Sequence, residues 1–254
     1  AAGCPVLVKS HPMHAGTGEL IASAIIAAAE KTGMPNGVFS NLNSSGIAVG
    51  QQLVNHPQVK AVGFTGSHRG GRALYDLAAK RPEPIPVFAE MGSVNPVILL
   101  PKALDNRAAA LAKTYAQSIT LGTGQFCTNP GLILGIQGSS LNQFIEVLAS
   151  EIVAIDPGCM LHPNILGAYE ANKEKAISQK EVTLAADYSK AVNNNYAKQA
   201  VATVTGTVFL ANPQLHQEVF GPYSIIVQCA DQQQLEQILL QLEGQLTGTL
   251  ISDN

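Results

Sequence analysis

Apolar residues come along this chain in short runs of four or five. Each run is closed by glycine, proline or a polar turn and followed by a stretch at helical spacing. Pro5 to Lys9 predicts a short buried strand, and Ser10 to Gly18 a polar turn. Glu19 to Lys31, rich in Ala and Ile, predicts a helix that Gly33-Met34-Pro35-Asn36-Gly37 stops. Its apolar run Leu20–Ala29, broken by Ser23, is short for a membrane span and reads as a buried helix. Val38-Phe39 resumes extended structure, and Ile47 to Asn55 has helical spacing up to His56-Pro57. Val59 to Thr65 is a strand, Arg72 to Lys80 a helix, and Pro86 to Glu90 a strand again. A β-turn-α alternation this close implies a parallel sheet covered by helices.

Beyond Asn95-Pro96 the pattern starts afresh, so a domain seam is expected near Gly92–Pro96. Val97 to Leu100 predicts a strand, and about Asp105 to Leu121 a helix. Leu132 to Ile136 is a strand, and Ser140 to Ile152 a helix with its N-cap at Ser139 or Ser140. The polar stretch Ile155 to Ala200 carries little pattern. A helix near Ala168–Gln179 and a strand near Ala200–Leu210 are expected. Gln217 to Pro222 is a turn, Tyr223 to Gln228 a strand, Asp231 to Leu242 a well-capped helix, and Leu246 to Ile251 a last strand.

Composition narrows the function classes. Of 254 residues, 46% are hydrophobic and 13% charged, which argues for a folded chain with real cores. The net charge of −3, with no basic block, argues against nucleic acid as a partner, and no segment argues for a membrane. Cys4, Cys127, Cys159 and Cys229 are scattered without ligand spacing. They read as reduced thiols of a cytoplasmic compartment, with no metal site expected. The chain opens without Met and almost at once in a strand, and it stops just after an apolar run, so a fragment of a longer protein is expected.

Several turns could carry chemistry. In Gly122-Thr123-Gly124-Gln125-Phe126-Cys127-Thr128-Asn129-Pro130-Gly131 a cysteine sits among turn-formers. A loop thiol can be a nucleophile whose product faces backbone N–H groups, although a lone cysteine is more often a small buried hydrophobe. Gly66-Ser67 with Gly71 lies between a strand and a helix, where phosphates bind, or is simply a tight βα turn. Lys9 ends a strand and could reach a ribose or phosphate oxygen, or be solvated. His11 and His14 in the following turn read as loop residues rather than metal ligands. Glu90, at a strand end beside an apolar segment, could be a general base or an exposed strand-end charge. Glu218, held before Val219-Phe220-Gly221-Pro222, could bind a sugar hydroxyl or be a loop charge.

Together these stretches resemble the aldehyde dehydrogenase superfamily over essentially the whole chain. Phe64-Thr65-Gly66-Ser67 is similar to the family's cofactor turn, and Glu90 to Pro96 to its glutamate motif. Gly124-Gln125-Phe126-Cys127 is similar to its nucleophile motif, and Glu218 to Pro222 to its late cofactor motif. The resemblance implies an α/β fold: a partial Rossmann-like parallel sheet in residues 1–92, the cofactor-binding domain, then a partial α/β catalytic domain in 93–254. It implies NAD(P)-dependent oxidation of an aldehyde to a carboxylic acid through a cysteine thioester. Cys127 would be the nucleophile and Glu90 the base for the hydrolytic water. Lys9, Gly66, Ser67, Gly71, Glu218 and Phe220 would bind the cofactor, and Asn95 would orient groups around the site.

Three departures stand out. Gly92-Ser93-Val94 replaces Gly-Gly-Lys, Thr128 to Gly131 lacks the common Arg, and Lys9 to Thr17 replaces the Lys-Pro-Ser-Glu type. These resemble the branch of 2-oxoglutarate semialdehyde (2,5-dioxopentanoate) dehydrogenases, which implies conversion of that aldehyde to 2-oxoglutarate. Pro12 stands where a carboxylate would repel a 2′-phosphate, so either NADP or NAD is implied. Relative to the family, the chain would lack its beginning, with an oxyanion-hole Asn, and its end; the full-length protein is expected to be a homo-oligomer. The alternatives are an inactive fragment or pseudoenzyme that only binds nucleotide, and a CoA-acylating enzyme, against which Glu90 argues.

Overall fold

A computed structural model describes residues 3–253. The chain divides into two compact units, one up to Met91 and the other from Gly92 onward.

In the first unit, β1 (Val6–Lys9) leads through a short 3₁₀ turn at Pro12–His14 into α1 (Ala15–Lys31). Then come β2 (Phe39–Leu42), α2 (Ala48–Asn55), β3 (Val62–Thr65), α3 (His68–Ala79) and β4 (Val87–Glu90). The expected β-α alternation is present as two parallel pairs, β1 with β2 and β3 with β4. Two expectations are corrected. The β1 side chains are exposed, not buried. So is most of α1, where only Ala22 is buried while Leu20 is 75% and Ile21 56% exposed. Apolar composition predicts that a face will be covered; within the first unit little lies over this one. α3 starts at His68, earlier than expected, because the Ser67 hydroxyl caps it.

The second unit is built on one six-stranded sheet. Its elements are β5 (Val97–Leu99), α4 (Pro101–Thr120), β6 (Leu132–Ile136), α5 (Ser139–Ala154) and the two-residue β7 (Gly158–Cys159). They continue with α6 (Pro163–Ile177), β8 (Thr183–Asp187), β9 (Tyr196–Ala197), β10 (Ala200–Thr205) and α7 (Gly206–Ala211). The last three are β11 (Tyr223–Cys229), α8 (Gln232–Gln241) and β12 (Thr249–Ile251). The strand order is β12-β5-β6-β11-β10-β8, all parallel except the antiparallel edge pair β10–β8. Central strands of such a sheet are buried on both faces, and their side chains alternate between two cores. Leu132, Leu134, Ile225 and Val227 point to the core shared with Tyr169, Phe209 and Leu235. Ile133, Val201 and Ile226 point to the core shared with Leu104, Phe144 and Leu148.

Two more corrections belong here. The cap residue of α5 is Gly138, without a side-chain bond, rather than either serine. The strand expected over Ala200–Leu210 ends at Thr205, whose hydroxyl accepts from the Val208 N–H and starts α7. The antiparallel edge strand β8, in the polar stretch, was not expected. Among the described residues no helix is long and apolar enough to cross a membrane, and no cluster of His, Cys, Asp or Glu could hold a metal.

Candidate active site

In the first unit, three strand ends carry the singled-out residues. Lys9 closes β1, and the next residue, Ser10, is fixed by donating to Asn41 Oδ1 at 2.6 Å. Asn41 and Asn43 in turn donate to the Glu19 carboxylate at 3.1 and 2.9 Å. His11 and His14 are exposed and serve the local turn, His11 Nδ1 accepting from the Met13 N–H. Gly66 follows β3, and its N–H donates to the Glu90 carbonyl at 3.0 Å, so the ends of β3 and β4 are tied together. A methyl group on Gly66 would come within 2.8 Å of the Phe64 ring.

Ser67 spends its hydroxyl on the Gly70 N–H at 3.2 Å, and its carbonyl takes the Gly71 N–H. The first amides of α3, those of His68 and Arg69, have no acceptor among the described residues. A free N-terminal edge of this kind is a general anion-binding geometry. Gly71 is buried inside α3, where a Cβ would press on Met91, so it serves helix–strand packing. Glu90 is exposed at the end of β4, beside a groove lined by Gly63, Phe64, Thr65, Phe88 and Ala89.

In the second unit, the chain leaves α4 through three consecutive left-handed residues, Gly122 (φ 55°), Thr123 (φ 60°) and Gly124 (φ 66°). For a β-branched residue such as Thr123 this conformation is strained, and it persists only where the surroundings fix it. Here they do. Thr123 is buried, with its hydroxyl near the Cys159 carbonyl, and Gln125 is pinned by donating to Gly122 O and accepting from the Leu161 N–H. Asn129 N–H then donates to Phe126 O at 3.1 Å, which closes a turn with Cys127 at its second position. Cys127 is exposed, and its own N–H has no acceptor among the described residues. Phe126 is also exposed.

Asn95 holds this turn from beneath. It is 3% exposed and left-handed at φ 47°, a conformation asparagine tolerates better than most. Its Nδ2 donates to both Cys127 O and Asn129 O at 2.9 Å. The two peptide planes flanking the Cys127 Cα are therefore both fixed, one through Phe126 O and the other through Cys127 O. The direction of the Cys127 Cα–Cβ bond and of the free N–H is set by backbone, not by chance.

Glu218 and Phe220 line a pocket with Ser93, Gly124, Phe126 and Asn129. Burial pushes the Glu218 carboxyl above the ordinary glutamate range, opposed by the Ser93 N–H that donates to it at 3.4 Å. The turn carrying Glu218 ends on Gly221, whose carbonyl accepts from Asn129 Nδ2 at 3.0 Å. Tyr169 backs that turn. Its hydroxyl donates to Lys198 O at 2.7 Å and lies 3.2 Å from Pro222 O. Tyr169, Thr123, Gln245 and Thr247 escape a reading of sequence, since their partners lie far along the chain. Cys229 is fully buried, and desolvation with the nearby Asp231 pushes its thiol up to about 12, so it is an inert core residue.

A sequence profile described as the Aldehyde dehydrogenase family matches residues 1–254. The chain is 49% identical over 253 residues to Alpha-ketoglutaric semialdehyde dehydrogenase 2 of Azospirillum brasilense, covering all of this chain and 48% of the relative. It is 41% identical over 254 residues to Alpha-ketoglutaric semialdehyde dehydrogenase of Acinetobacter baylyi, with the same two coverages. The chain thus spans about half the length of the curated relatives it matches. Among solved structures, glyceraldehyde-3-phosphate dehydrogenase GapN of Methanocaldococcus jannaschii, complexed with NADP, shares the fold at a TM-score of 0.80 and 21% identity. That match covers 98% of this chain and 53% of the other.

Proposed function

The chain belongs to the aldehyde dehydrogenase family, and from that premise we propose that it carries the nucleophile and cofactor grip of an NAD(P)-dependent aldehyde oxidation. The observation that carries the reading is the exposed Cys127, with both adjoining peptide planes pinned and its N–H turned free. The Cys127 thiolate attacks the aldehyde carbon, and the Cys127 N–H donates to the oxyanion that forms. The residues present fit a dinucleotide. The free first amides of α3 suit its pyrophosphate, with Gly66, Ser67 and Gly71 shaping that turn. Lys9 suits the adenosine ribose, Glu218 the nicotinamide ribose and Phe220 the nicotinamide ring. When bound, the nicotinamide supplies the acceptor for the hydride. The thioester left on Cys127 Sγ is cleaved by a water from which Glu90 takes a proton, releasing the acid and the thiolate.

On this reading residues 1–92 belong to the cofactor-binding domain and 93–254 to the catalytic domain. The substrate is 2,5-dioxopentanoate and the product 2-oxoglutarate. Two relatives matched over the whole chain, each named for alpha-ketoglutaric semialdehyde, support this choice. The whole protein is proposed to be a cytoplasmic homo-oligomer that uses NADP or NAD. The test is Glu90→Gln in the whole protein. It keeps a first turnover near the wild-type rate but slows the following turnovers about 100-fold or more, with free acid as the wild-type product. Equal first and later turnovers in the variant would remove Glu90 from the mechanism. An acyl-CoA product would replace hydrolysis by acyl transfer.

Glu218 allows a second prediction. Glu218→Gln loses a charge-assisted acceptor to a ribose hydroxyl and raises the cofactor KM about 10- to 100-fold. The stability effect has the opposite sign. The folded carboxyl binds its proton more tightly than the unfolded one, so its contribution to stability falls as pH rises through the window between the two values. Glu218→Gln therefore melts higher than wild type at neutral and alkaline pH, and the difference vanishes near about pH 4. Thermal melts across pH, beside cofactor titrations, check both signs.

A further inference from the structure

We propose that Gln245 and Thr247 are positioning residues for the Cys127 nucleophile, acting through Ser93, Val94 and Asn95; this rests on the reading of Cys127 given above. The two residues lie in the strap of residues 242–248 that joins α8 to β12. No turn chemistry requires their side chains, yet both face inward. Thr247 Oγ1 donates to Asn95 Oδ1 at 2.9 Å. Gln245 Oε1 accepts from the Val94 N–H at 2.7 Å and lies 3.0 Å from Ser93 Oγ. Ser93 Oγ accepts from the Leu246 N–H at 3.0 Å and lies 2.9 Å from Asn95 Oδ1. All of these links but the one from Ser93 Oγ to Asn95 Oδ1 run between the strap and the three residues that lead into Pro96.

The consequence falls on one amide. Asn95 has two donors and one acceptor oxygen in its side chain. If the amide were flipped, Oδ1 would face the Cys127 and Asn129 carbonyls, oxygen against oxygen. The orientation with Nδ2 on those carbonyls is therefore enforced, and Oδ1 must then face the strap, where Thr247 supplies a proton. Asn95 is left-handed and precedes a proline, a backbone state that local preference does not hold. The strap supplies what holds it: Val94 N–H, Ser93 Oγ and Asn95 Oδ1 all end on residues 245–247. Ser93 and Val94, two departures from the family's Gly-Gly-Lys pattern, are the residues the strap grips. Removing a strap contact loosens the backbone of residues 93–95, so the Asn95 side chain and the peptide plane after Cys127 shift together and the Cys127 side chain is displaced. Displacements of about 1 Å in a reacting group cost on the order of 10²-fold in rate.

The experiment compares Thr247→Val, which keeps the shape and removes the hydroxyl, with Thr247→Ser, which keeps the hydroxyl. Both are made in the whole protein. The readouts are the single-turnover rate of cofactor reduction with excess enzyme, the iodoacetamide labelling rate of Cys127, and the cofactor KM. We expect Thr247→Val to lower the single-turnover and labelling rates about 10-fold or more with the cofactor KM within about 2-fold, and Thr247→Ser to restore both. If Thr247→Val does not fold, Gln245→Met, which removes the acceptor for the Val94 N–H, is held to the same criterion. A lower melting temperature with an unchanged single-turnover rate would make the strap merely structural and overturn the proposal. A wild-type protein that reduces no cofactor in a single turnover with aldehyde would instead bring down the reading of the nucleophile, and the strap's role with it.

Discussion

Cys127→Ser in the whole protein is expected to end aldehyde oxidation, a loss of about 10⁴-fold or more, and to leave the fold and cofactor affinity unchanged. The side chain is exposed and no hydrogen bond depends on its sulfur, so exchanging sulfur for oxygen removes little packing and leaves no polar atom stranded. The backbone of the turn is fixed through Phe126 O and Cys127 O, neither of which the substitution touches. What is lost is nucleophilicity. A thiol ionises near neutral pH, whereas a serine hydroxyl needs an adjacent base, and no side chain of the second unit bonds to Sγ to provide one. Turnover, melting temperature and cofactor titration on the same preparation decide the matter. Turnover retained within about 10-fold would move the nucleophile elsewhere. Cys159 is an unsuitable replacement, because its sulfur lies against its own local backbone at Met160 O. A wild-type protein as inert as the variant, with its cofactor binding intact, would favour the pseudoenzyme reading.

The order of strands and helices was legible because each strand is a short apolar run punctuated by glycine, proline or a cap. β6 falls on Leu132–Ile136 as expected, and α8 begins after the Asp231 cap. Where one apolar stretch could serve either period, sequence was silent. Val208, Phe209 and Leu210 continue the pattern of β10, and only the cap formed by Thr205 turns them into a helix. Polar composition hid β8, an edge strand whose partner β10 supplies the burial on one side. The exposure of α1 was illegible for the opposite reason: apolar spacing tells which face seeks cover, and not what lies over it.

For the site, the singled-out residues lie where turn-formers announced them. Cys127 is in a turn, Glu90 at a strand end, Ser67 at a helix cap and Glu218 beside a Gly-Pro corner. The residues that shape these positions carried no such signal. Asn95 acts across more than thirty residues of chain on Cys127 O. Thr247 reaches Asn95 from the far end of the sheet's connectivity. Tyr169, buried beneath the Gly221-Pro222 corner, would be read along α6 as one more core aromatic. Short-range pattern finds these exposed turn and strand-end positions because their punctuation is local. It misses the scaffold because the scaffold's hydrogen bonds are made between residues that only the fold brings together.

Gly124→Ala is expected to lower turnover about 10²-fold or more and to destabilise the second unit, although Gly124 touches no substrate. Two costs add at this position. The residue sits at φ 66°, where a Cβ costs about 1 kcal/mol or more. A Cβ there would also run into the Gly221 carbonyl and the Pro222 nitrogen, which are backbone atoms that cannot rotate away. Neither side can retreat cheaply. Gly221 is held by Asn129 Nδ2 and backed by the Tyr169 ring, and the Pro222 carbonyl lies at the Tyr169 hydroxyl. The turn that carries Cys127 must therefore lift away from the turn over residues 218–222. As it lifts, the Asn129 bond to Gly221 is lost, and the turn that carries Cys127 changes its separation from the turn that carries Glu218. Activity should fall through both kcat and the cofactor KM, unlike Thr247→Val, which spares the KM. The paired measurement separates the two devices. If Gly124→Ala alters the melting temperature alone, the contact between the two turns fixes the fold without tuning the site. If it alters kcat and KM together, the close approach of Gly124 to Gly221 is what keeps nucleophile and cofactor grip in register.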